Sequence, residues 1–450
     1  MIYDVIILGA GVVGCFIARE LSRFHLKIAL LDKGYDISLG ATKANSGIVH
    51  GGYAEEPGSL KARLCYSGRI EFPRLERELS FGYRRTGSLV LSFHPSDLPI
   101  LEKLKEQGIK NGLPPSELQI LSREEILNLE PNINPRVDRA LYCRGAGVCS
   151  PYELALALAE NGIANGVDLF LGQEVRGIQK EEGIFRIKTK TLNNKNLPCP
   201  GNLFFSRYAI NCTGTQSDRI SALAGEPYFS ITPRKGEYIL FSKGTGNLLN
   251  TVVFQLPTRM GKGVLVSSTF HGNLILGPDA KDVSDPDDTG TESERIGEIL
   301  EKARLTTDKI DPKQFLRSFS GLRAVSSTKD FIVEETGLQG FINAAGIQSP
   351  GITSSPAITE RIIHLLSDSG LELKPRKDFR PERAPVIQKK ELSMKQTMEL
   401  ANLTPGNPER ILCKCEQVTE QEVRESLTRG IPVISSDGVK RRTRAGMGWC

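Results

Sequence analysis

Three groups of residues in this chain have the types and spacing to do chemistry. The first is Gly9-Ala10-Gly11-Val12-Val13-Gly14, which follows the apolar run Val5–Leu8, with Asp32 closing the next apolar run, Ile28–Leu31. Gly9 permits a tight turn, Gly11 lets the backbone approach a pyrophosphate, and Gly14 lets a helix pack close to a strand. The free N–H groups of that helix would face phosphates. Asp32 stands where a carboxylate takes a ribose hydroxyl. A dinucleotide is the ligand this arrangement predicts.

The second group is the segment after Asp32, KGYDISLGATKANSGIVHGGY, which carries Thr42, Asn45, Ser46 and His50 among four glycines from Gly40 to Gly52. Small and hydroxyl residues among glycines suit a backbone wrapped around a ligand. His50 is one of five histidines and the one embedded in such a loop, where it could exchange protons near neutral pH. His25, His94, His271 and His364 read as structural. The third group is Cys413-x-Cys415, with Cys450 as the last residue. A CxC pair that holds no metal is an equally good reading of the spacing alone. The cations Lys440, Arg441, Arg442 and Arg444 lie just before Cys450. They read as compensation for a negative centre, as a dock for an acidic partner, or as a solvated run.

The elements that must position these groups follow from periodicity. Residues 3–32 read as strand, glycine turn, helix, strand. Ser59 to Ser80 is apolar at helical spacing, and Thr86–Phe93 reads as a strand. Residues 96–130 hold two helices, the second opened by a capping box of Ser122 and Glu125. A helix starts at Ser150-Pro151. Strands are expected at Val167–Leu171 and Phe185–Thr189, and at the segment that ends Asn211-Cys212-Thr213-Gly214. From 225 to 330, short runs (Glu237–Phe241, Thr251–Gln255, Gly263–Ser268, Leu274–Leu276) alternate with turns and predict an antiparallel sheet. Phe341–Ala344 reads as a strand. Gly346 and Gly351 then allow close approach, and a helix is expected from near Pro356. KPRKDFRPERAP reads as an extended linker, and Thr419 with Glu422 caps a short helix.

Composition bounds the function. At 450 residues the chain calls for two or three domains. With 39% hydrophobic and 25% charged residues it is an ordinary globular protein. A net charge of +5 without aromatic–basic alternation excludes a nucleic-acid binder. The N-terminal apolar run lacks a basic leader and is broken by Asp4 and three glycines, so it reads as the nucleotide fold, not a signal peptide. No run has the length of a transmembrane helix. Nine irregularly spaced cysteines do not read as a disulfide framework. A cytoplasmic, reduced protein is expected, with peripheral membrane contact still compatible.

GAGVVG, NSGIVHGGY and the later GIQSPGITSSPAI together resemble the glycerol 3-phosphate oxidase/dehydrogenase branch of the FAD-dependent D-amino acid oxidase superfamily, over about residues 1–365. ILCKCEQVTEQEV with RRTRAGMGWC resembles the bacterioferritin-associated ferredoxin type of [2Fe–2S] domain. The resemblance implies an α/β protein with a discontinuous Rossmann-like FAD-binding domain (1–85, 145–224, 331–365). It adds an antiparallel-sheet substrate domain (86–144, 225–330), a linker (366–408) and a small Cys-containing helical domain (409–450). It implies FAD rather than NAD, with Gly9, Gly11, Gly14, Asp32, Thr42, Asn45, Gly214, Gly346, Gly351, Ile352 and Thr353 as cofactor contacts. Arg323 is the implied anion-binding residue, helped by Lys262, Ser46 and Ser349, while Arg259 reads as solvated. The implied reaction is oxidation of a small anionic CH–OH substrate, with His50 taking the hydroxyl proton as hydride passes to flavin N5. Glycerol 3-phosphate is the first choice of substrate. A 2-hydroxy acid, an amino acid, or service as an electron-transfer subunit are the alternatives. The resemblance also implies a redox partner protein and cysteine ligation of a cluster by Cys413, Cys415 and Cys450. Four thiolates are needed for such a cluster, so the chain as given predicts little bound iron and a poorly ordered tail.

Overall fold

A computed structural model describes residues 1–191, 201–256, 264–386 and 390–449. The opening apolar run forms β1 (Ile2–Leu8), the glycine turn leads into α1 (Val12–Leu21), and β2 (Ile28–Leu31) returns parallel to β1. Gly9 has φ +102°, and a Cβ there would stand 2.5 Å from the Cys212 carbonyl oxygen, so only glycine makes this turn. A Cβ on Gly14 would run into the Gly9 carbonyl, which is how the helix comes to lie tight against the strand.

β1 lies in an eight-stranded sheet, flanked by β2 and by Leu203–Asn211, both parallel to it. Strand Leu203–Asn211 is shared along its length. Its first half pairs with Ile184–Thr191, and its end pairs in parallel with Phe341–Ala345. The strand ends therefore converge beside the glycine turn, at the carboxyl edge where open α/β sheets bind ligands. One face is covered by α1, which packs against the helices Pro151–Ala164 and Gly351–Asp368. The core between them is aliphatic, with Ile7, Cys15, Ile17, Leu154 and Ile358 fully buried.

The expected antiparallel sheet is present and has nine strands among the described residues. Its spine is the long strand Ile231–Lys243, paired along most of its length with Phe315–Ser326. Ser88–Ser92 joins it parallel to Val252–Gln255. The remaining pairs are antiparallel.

Several boundaries differ from the sequence reading. The stretch 59–80 is two helices, α2 (Leu60–Arg69) and α3 (Phe72–Leu79), because Pro73 cannot donate to a continuing helix. The last helix of the sheet domain begins at Gly351 and carries Pro356 inside it. The linker holds a helix, Met394–Ala401, opened by a Ser393–Gln396 capping box that the reading missed. Its extended part is docked. The Asn161 and Asn165 side chains bond the carbonyl of Arg380, and Arg383 pairs with Glu160 at 2.7 Å.

The C-terminal residues are not a loose extension. They form the strands Ile411–Cys413 and Val418–Thr419 and the helices Glu420–Ser426 and Ser436–Thr443. Most of the basic run is not solvated, although Lys440 is partly exposed. Arg441, Arg442 and Arg444 are buried and paired with Asp36 and Glu416.

Candidate functional site

A cavity of about 1490 Å³ runs from the glycine turn to the antiparallel sheet. Gly9, Gly11, Asp32, Thr42, Asn45, Ser46, His50, Gly214, Arg323, Ser349, Gly351 and Ile352 all line it. Twelve of the residues singled out from sequence are thereby brought to one place. Gly14, Gly346 and Thr353 do not line it. Gly14 serves helix packing. Gly346, at φ +65°, makes the turn before the 347–350 loop. Thr353 is buried and accepts the His50 N–H at 2.9 Å, so it holds the loop that carries the histidine. Arg259 and Lys262 fall in 257–263, outside the described residues.

The nucleotide end is built from backbone. The Asp32 carboxylate accepts the Ala10 and Gly34 N–H groups, each at 2.7 Å, so it braces the glycine turn while its edge faces the cavity. Burial pushes its pKa up, against those two bonds. The Val12 N–H, first of α1, donates to Thr42 Oγ1 at 3.0 Å. Asn211 and Asn343 sit opposite each other in parallel register, with Asn211 Nδ2 donating to Asn343 Oδ1 at 2.8 Å. Thr213 Oγ1 donates to Asn211 Oδ1 at 2.7 Å, which fixes the turn at Gly214.

At the other end stands His50. It follows the two-residue strand Ile48–Val49, which pairs antiparallel with Gly147–Cys149. Its Nε2 lies 3.2 Å from Ser349 Oγ, and its ring stacks on Phe254 with centroids 6.1 Å apart and planes at 24°. Two loops 299 residues apart in sequence thus set one imidazole. Arg323 donates from Nη2 to the Asp279 carbonyl at 2.7 Å, and its buried Nε has no hydrogen-bond partner among the described residues. Gly236 makes room for it, since a Cβ there would come within 2.6 Å of Nη2. An oriented guanidinium beside a cavity is suited to a phosphate or carboxylate.

Sequence reasoning missed Tyr238 and Phe254, both on the cavity wall. Tyr238 stacks on Phe319 with centroids 4.9 Å apart, and burial raises its pKa. Aromatic residues within the predicted strands 237–241 and 251–255 were the available signal. His271, read as structural, also faces the cavity and lies 2.6 Å from Glu153 Oε1. The cavity's far wall is made by the C-terminal residues Asp437, Lys440, Arg441, Arg444 and Met447.

The residues present fit a dinucleotide. A cavity of this size opens from a glycine turn at a helix N-terminus, beside a half-buried carboxylate. Among the described residues they do not complete a cluster. Cys413 Sγ accepts the Gly446 N–H at 3.4 Å, and a Cβ on Gly448 would touch Cys415, so a turn wraps the pair. Among the described residues no group of three metal-ligating side chains comes together, and Cys450 lies outside them. The seven described cysteines form no disulfide. No described helix is long and apolar enough to cross a membrane.

Comparison with known proteins agrees with this geometry. Residues 4–365 match the family of FAD dependent oxidoreductases, and residues 411–450 match the BFD-like [2Fe-2S] binding domain. The chain is 42% identical over 449 residues to a glycerol 3-phosphate dehydrogenase of Caloramator mitchellensis, covering 100% of this chain and 91% of the relative. A glycerol 3-phosphate oxidase of Mycoplasma genitalium is 31% identical, over 84% of this chain and 97% of that one. Among solved structures, the dithionite-reduced L-alpha-glycerophosphate oxidase of Mycoplasma pneumoniae with FAD bound superposes with a TM-score of 0.78 at 30% identity. That match covers 85% of this chain and 98% of the other.

Proposed function

Because the chain belongs to the family of FAD dependent oxidoreductases, we propose that it oxidises glycerol 3-phosphate to dihydroxyacetone phosphate. The observation that carries the reading is the juxtaposition of His50 and Arg323 on one cavity with the glycine turn. The substrate follows from the similarity to glycerol 3-phosphate dehydrogenases and oxidases.

When bound, FAD would supply the acceptor for the hydride, which carries both electrons of the oxidation. Gly9, Gly11 and Asp32 hold its dinucleotide end. Arg323 would bind the substrate's phosphate through the guanidinium N–H groups that face the cavity, which Ser46 and Ser349 also line. With the anion fixed, the CH–OH group is presented to His50, whose Nε2 takes the hydroxyl proton as the C–H bond breaks. The Phe254 ring and the Thr353 bond to the His50 backbone set the imidazole for this transfer, and the substrate hydroxyl takes the place of Ser349 Oγ at Nε2. Lys262 is proposed to assist at the phosphate. The reduced enzyme passes its electrons to a partner protein in the cytoplasm, a role suggested by the BFD-like match.

Anaerobic bleaching of the bound flavin with a substrate panel tests this. Glycerol 3-phosphate should bleach it fully at the lowest concentration. Faster bleaching by 2-hydroxyglutarate or by an amino acid would move the substrate to a carboxylate held by the same arginine.

A further inference from the structure

The BFD-like segment does more than stand beside the flavin domain: it grips the segment that wraps the cofactor cradle. Helix Ser436–Thr443 presents two successive arginines to Asp36, four residues past Asp32. Arg442 donates from Nη1 and Nη2 to the two Asp36 oxygens at 2.8 and 2.9 Å. Arg441 donates to the same carboxylate and, at 3.0 Å, to the Ile37 carbonyl. Asp36, Arg441 and Arg442 are each 3% exposed or less. A Cβ on Gly438 would stand 3.1 Å from Asp36 Oδ2, so the helix approaches through its glycine.

The gripped segment is itself bonded to the glycine turn. Ser38, held in the left-handed region at φ +54°, donates its N–H to the Ala10 carbonyl at 2.9 Å, and Arg441 reaches its hydroxyl at 3.4 Å. A few residues on, Thr42 Oγ1 accepts the Val12 N–H. A continuous chain of bonds therefore runs from the C-terminal helix through Asp36 and Ser38 to both sides of Gly11. Asp36 and Arg442 do not themselves line the cavity.

We propose that Asp36 and Arg442 are positioning residues for FAD. Docking of the C-terminal module presses residues 33–42 onto the glycine turn, so module docking and FAD binding favour each other. The proposal rests on the FAD reading above. Linkage requires the effect to be reciprocal.

Two measurements test it. Apoprotein of the full chain is titrated with FAD, following quenching of flavin fluorescence, for the parent and for Asp36→Asn, Arg442→Gln and Arg383→Gln. The last breaks another buried pair between tail and flavin domain, Arg383–Glu160, which has no bond to the glycine turn. FAD affinity should fall at least about tenfold in the first two variants, within the usual range of coupling between sites, and stay at the parent value in the third. Hydrogen exchange on the unmodified protein should show residues 436–449 slowed by FAD, a readout that holds even if a variant fails to fold. Unchanged affinity in folded Asp36→Asn and Arg442→Gln overturns the proposal, as does equal loss in Arg383→Gln or FAD-independent exchange. A parent chain that binds no FAD would overturn the functional reading as well.

Discussion

At the scale of single residues, the proposed chemistry rests on how His50 is held. Its backbone is pinned by Thr353, its Nε2 meets Ser349 and its ring lies on Phe254. Replacing His50 by Ala leaves the dinucleotide end intact, so the variant should keep its FAD and slow flavin reduction by at least about a hundredfold, as the loss of a general base does. Reduction at the parent rate in stopped flow would place the base elsewhere. Arg323→Ala should act differently, because in the proposed reaction the guanidinium binds the anion and does not take the proton. The substrate concentration for half-maximal reduction should rise strongly, with a smaller loss of limiting rate through misplacement. A variant that lost limiting rate alone would show that Arg323 does not carry the phosphate. Both residues were legible in the sequence, His50 from its loop and Arg323 from the family likeness. Thr353, expected as a cofactor contact, does not line the cavity but accepts a backbone N–H 303 positions away, a bond that exists only in the fold.

At the scale of elements, the opening strand–turn–helix–strand unit was legible because local rules and tertiary structure agree there: each glycine has one steric reason to be glycine. The basic C-terminal run was illegible for the opposite reason. Four cations in five residues look solvated by composition, and the acids that bury three of them come from residues 36 and 416. The second of these pairs makes a measurable hinge. Glu416 and Arg444 have side chains 1% and 7% exposed, and Arg444 also donates to Tyr152 at 2.8 Å. Removing the charge in Glu416→Gln leaves a buried guanidinium unpaired, which costs about 3–5 kcal/mol. The nearby His271 adds a pH dependence. Burial first, and Arg444 second, push its pKa below 6.5, against the pull of Glu153. An opened form would therefore bind more protons than the folded one, so stability is full above about pH 6.5 and declines as pH falls. Burial would raise the Glu416 pKa, but its bonds to Arg444 outweigh that and hold it below 4.5, so its contribution is lost only below that value. Thermal unfolding followed from pH 7.5 to 5 should show the midpoint falling, and His271→Gln should flatten that fall. An unchanged slope in His271→Gln would assign the proton to another group.

At the scale of the whole molecule, one cavity is walled by all three parts of the chain: the strand ends of the parallel sheet, the face of the antiparallel sheet and the C-terminal helix. No part has a complete inner surface without the others, so the occupant of the cavity should act as their common core. That layering was legible only in outline. The change from apolar runs to short alternating strands near residue 225 announced a second sheet, but the closure of the cavity by residues 437–447 depends on contacts more than 160 residues apart in sequence. The consequence is a stability that follows the ligand by mass action. Each tenfold rise in free FAD above its dissociation constant should add about 1.4 kcal/mol, reaching about 2.7 kcal/mol at a hundredfold excess. The midpoint of thermal unfolding of the apoprotein should thus climb in proportion to the logarithm of FAD concentration. FMN lacks the adenylate that the glycine turn and Asp32 would hold, so it should give a much smaller shift at equal concentration. NAD has a pyrophosphate and two riboses but no flavin ring to fill the end of the cavity beside His50, and it should give almost none. Differential scanning fluorimetry with the three ligands decides the matter. Equal shifts with FMN and FAD would mean that the opening βαβ unit contributes little to retention, and a larger shift with NAD would mean that the cavity was built for a different dinucleotide.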